Sequence, residues 1–559
     1  MADEINTGWV KPPTQITGLD HLGIQAPCID IYGKLLPGIT NVTDRARYYS
    51  FYPWLFWAFN KRGWNDKDTF IERFRQADCL FSLIAIRHQS LHSNDDVNHA
   101  GAVVGKDTLL PALVAAENKN TTLRLTDYSH QRDGDPTRYF RSELGGFSQY
   151  YYGALRDLHL FQGDSYSNAS LTRQVGEKVA IAFDKGVLGE RFLDELIEND
   201  VSIRTLDELS AFCPCNLSAS ECELGALTDL FSYGVEPFDK TINAEISAMD
   251  AKARSRTMAF QVLLAQHCQA HEVNFSLQQF RALAYTGIGY DQQPLKLTSG
   301  LTECAQGWQV YVRNELLSLS LQGIFHAVLR AKELTQAHFK STGELSSWFW
   351  HEYVKDELFN TNSTQSLKDY ISESYTLMPS FSDWVSEDHE SMRIVKIEAL
   401  TRKRLASKIE IITLLKHCLF SLAALVSRES NQKGYDGMSF APGYLEERYP
   451  FNIESVQQLL AGKLAPKNVI NALSQFTHQC CLENHTRVAL RKLRQQGNNT
   501  FRFEISELGL VINGIPPASF TSPRFHQSIQ IMTDLGLLTK HKNNAIPTSQ
   551  AAAFIEEVS

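Results

Sequence analysis

Apolar residues recur along most of this chain at the three- and four-residue spacing of amphipathic helices, and strict alternation is rare. The pattern predicts long helices over roughly 242–272, 305–338 and 390–428. Thr43-Asp44 offers a cap for a helix opening at Arg45. In Ser218-Ala219-Ser220-Glu221 the Ser and Glu are spaced as a capping box, opening a helix through Leu224, Leu227 and Leu230. Thr500-Phe501-Arg502-Phe503-Glu504-Ile505 alternates and predicts a half-buried strand. From Ser522 a helix is expected through Phe525, Ile529 and Met532 to Leu535, stopped by Gly536. Leu537-Leu538-Thr539 and Ala545-Ile546-Pro547-Thr548 then flank a polar tip and predict a β-hairpin, with a last helix from Ser549. The expected fold is mainly α, multi-helical and multi-domain, with a C-terminal winged-helix-like module.

A chain of 559 residues is long enough for several cores. Turn-rich breaks near 287–300, 361–366 and 431–443 suggest four parts. These are an extended arm over 1–43, a helical domain with an aromatic anchor over 44–240, a long-helix domain over 241–434, and a helical plus winged-helix-like domain over 435–559. Hydrophobic residues at 43% and charged residues at 21% exclude extensive disorder, and a net charge of −9 argues against indiscriminate coating of nucleic acid. The opening Met1-Ala2-Asp3-Glu4 has no basic or apolar leader character, so a cytoplasmic location is expected. The strongest apolar stretch reads as Tyr48 to Phe59, interrupted by Pro53 and shorter than the ~20 residues of a membrane span. Ten cysteines are sparse and suggest thiols without a disulfide framework.

Charge patterning supplies the binding candidates. Arg487, Arg491 and Arg494 fall at i, i+4 and i+7, on one helical stripe able to meet phosphate or carboxylate, although a solvated face has the same pattern. Arg402, Lys403 and Arg404, with Lys408, form a second cluster. Arg524 and the hairpin's Lys540, His541 and Lys542 suit a winged helix on DNA, and such modules also dock proteins. Tyr48, Tyr49, Phe51, Tyr52, Trp54, Phe56, Trp57, Phe59 and Trp64, interleaved with Arg45, Arg47, Lys61 and Arg62, read as a core anchor first and a stacking platform for single strands second.

Catalytic patterns are broken wherever they begin. His88 and His92 have the spacing of a helical metal pair, with Asp95, Asp96 and His99 nearby, but Gln89 stands where a zincin carries its general base. They remain weak metal candidates, and no cofactor is expected. Gly101-Ala102-Val103-Val104-Gly105-Lys106-Asp107-Thr108 is one residue short of a phosphate loop and has Asp107 where a hydroxyl is required. Asp107 with Glu117-Asn118-Lys119 hints at a nuclease, but the intervening segment reads as well as a helix. Cys213-Pro214-Cys215, with Cys222, is tighter than a zinc knuckle and no second cysteine pair has matching spacing, so buried thiols are expected.

Three segments carry a family resemblance: Gly38-Ile39-Thr40-Asn41-Val42-Thr43-Asp44-Arg45-Ala46-Arg47-Tyr48-Tyr49, Phe212-Cys213-Pro214-Cys215, and Val488-Ala489-Leu490-Arg491-Lys492-Leu493. They resemble the accessory, non-ATPase subunit of Lamassu-type or Ddm-type bacterial defence systems against phages and plasmids. The resemblance implies partnership with an SMC-like ATPase and a nuclease or other effector, with possible DNA contact, and transfers no catalytic residue. The expected function is therefore a non-catalytic scaffold or adaptor subunit of a DNA-associated defence complex. The alternatives are a metal-dependent nuclease or hydrolase using His88, His92, Asp95, Asp96 or His99, and a winged-helix transcription regulator.

Overall fold

The computed structural model describes residues 20–42, 44–93, 99–101, 103–231, 244–268, 275–297, 301–359, 364–431, 451–496, 499–507, 509–541 and 544–556. It is 65% helical and 6% strand, so the mainly α, multi-helical expectation holds. Its strands pair in antiparallel twos, among them Phe503–Ser506 with Gly509–Ile512.

Two compact units take non-consecutive parts of the chain. One comprises Gly33–Phe280, Leu295–Ala305 and Ser522–Ser559, and the other Met1–Tyr32, Arg281–Pro294 and Gln306–Thr521. They do not follow the sequential division at 43, 240 and 434, because the C-terminal residues pack with the N-terminal half. Nor is residue 1–43 wholly an extended arm, since Ala26–Leu35 is a helix whose Cys28, Ile31, Tyr32 and Leu35 are buried. The stretch 390–428 is two helices, Glu390–Thr401 and Lys408–Asn431, broken at the corner holding Arg402, Lys403 and Arg404. The Ser218–Glu221 box is also displaced: residues Pro214–Ala219 form 3₁₀ turns and the helix starts at Glu221.

In the first unit the aromatic helix Tyr48–Arg62 is the central element. Tyr48, Tyr49, Phe51, Tyr52, Trp54 and Phe59 are fully buried, as the core-anchor reading expects. Their cationic neighbours are occupied: Arg45 pairs with Asp534, Arg47 with Glu223 and Arg62 with Asp194, while Lys61 lies 3.6 Å from the Trp57 ring. Beside it runs the helix Lys67–Leu91, capped by Asp66, whose carboxylate accepts from Thr69 N at 2.9 Å. Two charged residues on that helix are buried. Arg75 donates to the carbonyls of Ser129, His130 and Phe140, and Asp78 accepts from Tyr52, Tyr139 and Gly146 N at 2.9, 2.9 and 3.0 Å. Burial raises the Asp78 carboxyl above its ordinary range.

The C-terminal order of elements matches expectation: helix Phe525–Asp534, left-handed Gly536 at φ 78°, hairpin strands Leu538–His541 and Asn544–Pro547, and helix Ser549–Glu556. Gln261 Nε2, on the helix Ala244–Cys268, donates to Phe554 O at 2.8 Å and fixes the last helix.

In the second unit, Glu390 anchors a buried polar cluster, accepting from Arg428 and from Tyr285 Oη at 3.0 Å. The segment Lys408–Arg428, with a mean hydropathy of 1.9, is long and apolar enough to cross a membrane, and 61% of its apolar window is buried in the protein. Among the described residues it, rather than Tyr48 to Phe59, is the helix long and apolar enough for a span, and it packs against Glu390–Thr401 and Leu367–Thr376.

Trp54 decides whether the aromatic helix is core. Its ring packs against Phe183, Phe192 and Phe212, and its Nε1 donates to Asp184 at 2.8 Å. Trp54→Ala should destabilise the unit by about 3–5 kcal/mol in chemical denaturation. Unchanged melting with lost nucleic-acid binding would overturn the core assignment.

Candidate metal centre

The helix Lys67–Leu91 delivers His88 in its last turn, and His92 closes it, donating its backbone N–H to His88 O at 3.1 Å. The side chain of Gln89, the residue that breaks the zincin pattern, accepts the backbone N–H of His99 at 2.8 Å. That bond brings His99 back over the helix end, so the two imidazoles stand with Nδ1 atoms 3.1 Å apart.

The cysteines arrive from a distant turn. Pro214 opens a 3₁₀ segment after Cys213, its fixed φ suiting the first helical position, and Asn216 Nδ2 donates to Ser210 O at 2.8 Å to close the turn. Phe212 sinks between Trp54, Phe183 and Phe192, with ring centroids 5.4, 5.6 and 4.4 Å away. The buried Arg47 guanidinium supplies the polar clamp. It donates to the carbonyls of Ala211 and Cys213, the latter at 2.8 Å, and pairs with the fully buried Glu223 at 2.8 Å. Glu223 also accepts from Ser50 at 2.6 Å.

These two elements bring four donor atoms together. Cys215 Sγ lies 3.3 Å from His88 Nδ1 and 3.3 Å from Cys213 Sγ, and Cys213 Sγ lies 4.0 Å from His99 Nδ1. One ligand atom from each of the four residues falls within 4.8 Å of every other. His99 and Cys213 are buried, whereas His88 and Cys215 are half-buried.

The protonation chemistry suits ligation. Burial lowers the His88 imidazole from its ordinary value, against the opposing pull of Cys215 and with the charges of His99 and His92 adding to the fall. The thiol–thiol hydrogen bond, with His99 and His88 behind it, brings the Cys215 thiol below its ordinary value. Burial and the adjacent Cys215 push Cys213 up. Two imidazoles and two thiols at these distances can share protons, hold a borderline-soft cation, or close a disulfide.

The expected metal residues thus divide. His88 and His99 converge; the exposed His92 has its ring 4.5 Å from that of His88 but supplies no atom to the four-donor group. Asp95 and Asp96 lie outside the described residues. Cys213 and Cys215, expected as buried thiols without a partner pair, find that pair in two histidines over a hundred residues upstream, while Cys222 is exposed and apart.

The other candidates also separate. Gly105, at φ 73°, opens the helix Lys106–Lys119, where a Cβ would meet Tyr139 O at 2.9 Å, so close packing accounts for this glycine. Glu117, on that helix, pairs at 2.8 Å with Arg87 of the helix Lys67–Leu91. Arg524 is half-buried and donates to Leu36 O. Lys540 and His541 lie on the first hairpin strand; Lys542 lies outside the described residues. Arg402 pairs with Glu398 at 2.9 Å and Lys408 with Glu357 at 2.6 Å, while Lys403 and Arg404 are exposed. On the helix Asn484–Gln496, Arg487 and Arg494 are exposed and Arg491 is half-exposed.

No protein-family model, curated protein or solved structure matches the chain.

The clamp makes its own prediction. Arg47→Met strands the Glu223 carboxylate in the core and should destabilise the protein by about 3–5 kcal/mol in urea titrations, with much of the loss recovered in Arg47→Met/Glu223→Leu. A single variant as stable as the parent would contradict the clamp.

Proposed function

We propose that the chain is a non-catalytic helical adaptor whose basic stripe engages DNA within a bacterial defence complex. It works there in the cytoplasm beside an SMC-like ATPase and a nuclease or other effector. The observation carrying this reading is the stripe Arg487, Arg491 and Arg494: Arg487 and Arg494 reach solvent with no ion-pair partner among the described residues. Exposed Leu490 lies beside them. Arginine forks suit phosphate, and three charges on one helix face can position a backbone without reading bases. The helix–hairpin–helix terminus is taken as a winged-helix-like docking module; the internal bond of Arg524 favours protein docking over groove reading there. The three segments shared in resemblance with accessory defence subunits supply the partners.

Co-expression with the chain's genomic neighbours, followed by DNA titration of the full assembly across salt concentrations, tests the reading. Affinity should fall with salt, and Arg487→Ala/Arg494→Ala should flatten the log–log slope by about 1 for each phosphate that is no longer neutralised. A lone monomer whose DNA affinity is insensitive to salt would refute it.

A further inference from the structure

The four-donor cluster has a geometry that ordinary core packing does not require. A tetrahedral zinc ion with Zn–S near ~2.3 Å and Zn–N near ~2.0–2.1 Å separates its donors by about 3.8 Å for S···S, about 3.4 Å for N···N and about 3.6 Å for S···N. The corresponding separations are 3.3 Å for Cys213–Cys215, 3.1 Å for His88–His99, and 3.3 and 4.0 Å for the sulfur–nitrogen contacts. Each lies within about 0.5 Å of a tetrahedral edge, the tolerance that a side-chain rotation supplies.

We propose that His88, His99, Cys213 and Cys215 bind one zinc(II) ion in a closed, structural site that staples the Cys213–Cys215 turn to the end of the helix Lys67–Leu91. The donor set selects the metal. Two thiolates exclude magnesium and calcium, which prefer oxygen; two imidazoles with two thiolates in a tetrahedron favour zinc among the common cations. Binding releases the thiol protons and forms two Zn–S and two Zn–N bonds, with no redox change. Four protein ligands fill the coordination sphere, so the ion has no position for a reacting water. This separates the site from the hydrolase alternative, which needs an open one.

His99 is 4% exposed, and its Nδ1 lies 3.1 Å from His88 Nδ1 and 4.0 Å from Cys213 Sγ. This buried ring nitrogen therefore faces a second imidazole and a sulfur, the neighbours that a shared tetrahedral cation would have. The carbonyl of Cys213 is held by Arg47 at 2.8 Å, fixing the backbone around a ligand as the surroundings of metal sites do.

The assignment does not rest on the adaptor reading, because zinc content is measured whether or not the basic stripe binds DNA. Full-length chain purified without chelator should contain one zinc per molecule by elemental analysis. Cys213→Ser/Cys215→Ser should lose it, whereas Cys222→Ser and His92→Ala should keep it. Should the double variant fail to fold, the wild-type chain decides: cobalt(II) exchanged into the reduced protein should give tetrahedral d–d absorption with thiolate-to-metal charge transfer. Cys215→His should keep the ion while losing part of that charge-transfer intensity. Substoichiometric zinc together with no tetrahedral cobalt spectrum would overturn the proposal. So would full zinc retention in a folded Cys213→Ser/Cys215→Ser variant, or a metal-dependent hydrolytic activity abolished by His88→Ala with the ion left in place.

Discussion

A guanidinium buried in a helical core is costly unless every face of it is met, and Arg47 is met completely enough to organise its surroundings. Its partners are the Glu223 carboxylate and the carbonyls of Ala211 and Cys213. An unpaired buried ion carries a penalty of several kcal/mol, so these bonds are obligatory rather than decorative. Once they form, the turn after Phe212 has little freedom, and Cys213 and Cys215 are carried to the end of the histidine-bearing helix.

The same solution recurs around it. Arg75 gathers carbonyls from a loop that has little sheet to satisfy it, Asp78 collects two tyrosine hydroxyls and a backbone N–H, and Arg256 donates to the carbonyls of Leu230 and Pro37 at 2.8 and 3.1 Å. In a protein with 6% strand, long connections cannot satisfy their backbones in ladders, and buried charged side chains take over that task. The consequence is that several irregular segments among the described residues are tied to the helices by bonds to buried side chains. A precise four-donor cluster needs that firmness, because its donors come from a helix end and two loops.

Helix periodicity and the terminal hairpin were readable from local pattern because each depends on residues a few positions apart. Tyr48 to Phe59 was readable as core because that many aromatics have no other efficient burial. The donor cluster was not readable. His88 with His99, and Cys213 with Cys215, each made an incomplete motif, and what joins them is a tertiary contact spanning more than a hundred residues. Gln89 misled in an instructive way: it breaks one metal motif and, through its bond to His99, builds another arrangement. The charge of Arg524 is read directly from sequence, whereas its bond to Leu36 is a tertiary contact that no local pattern announces. The interleaving of the two units was hidden for the same reason, since no local signal ties residues beyond 522 to the N-terminal half.

The proposed metal staple, held by Arg47 and the aromatic core, lies within one unit, between buried and half-buried residues. Zinc K-edge X-ray absorption on the full-length chain examines that centre most directly. The predicted first shell is two sulfurs near ~2.3 Å and two nitrogens near ~2.0–2.1 Å, with no bound water. A shell of oxygen and nitrogen alone, or one containing an exchangeable water, would contradict it.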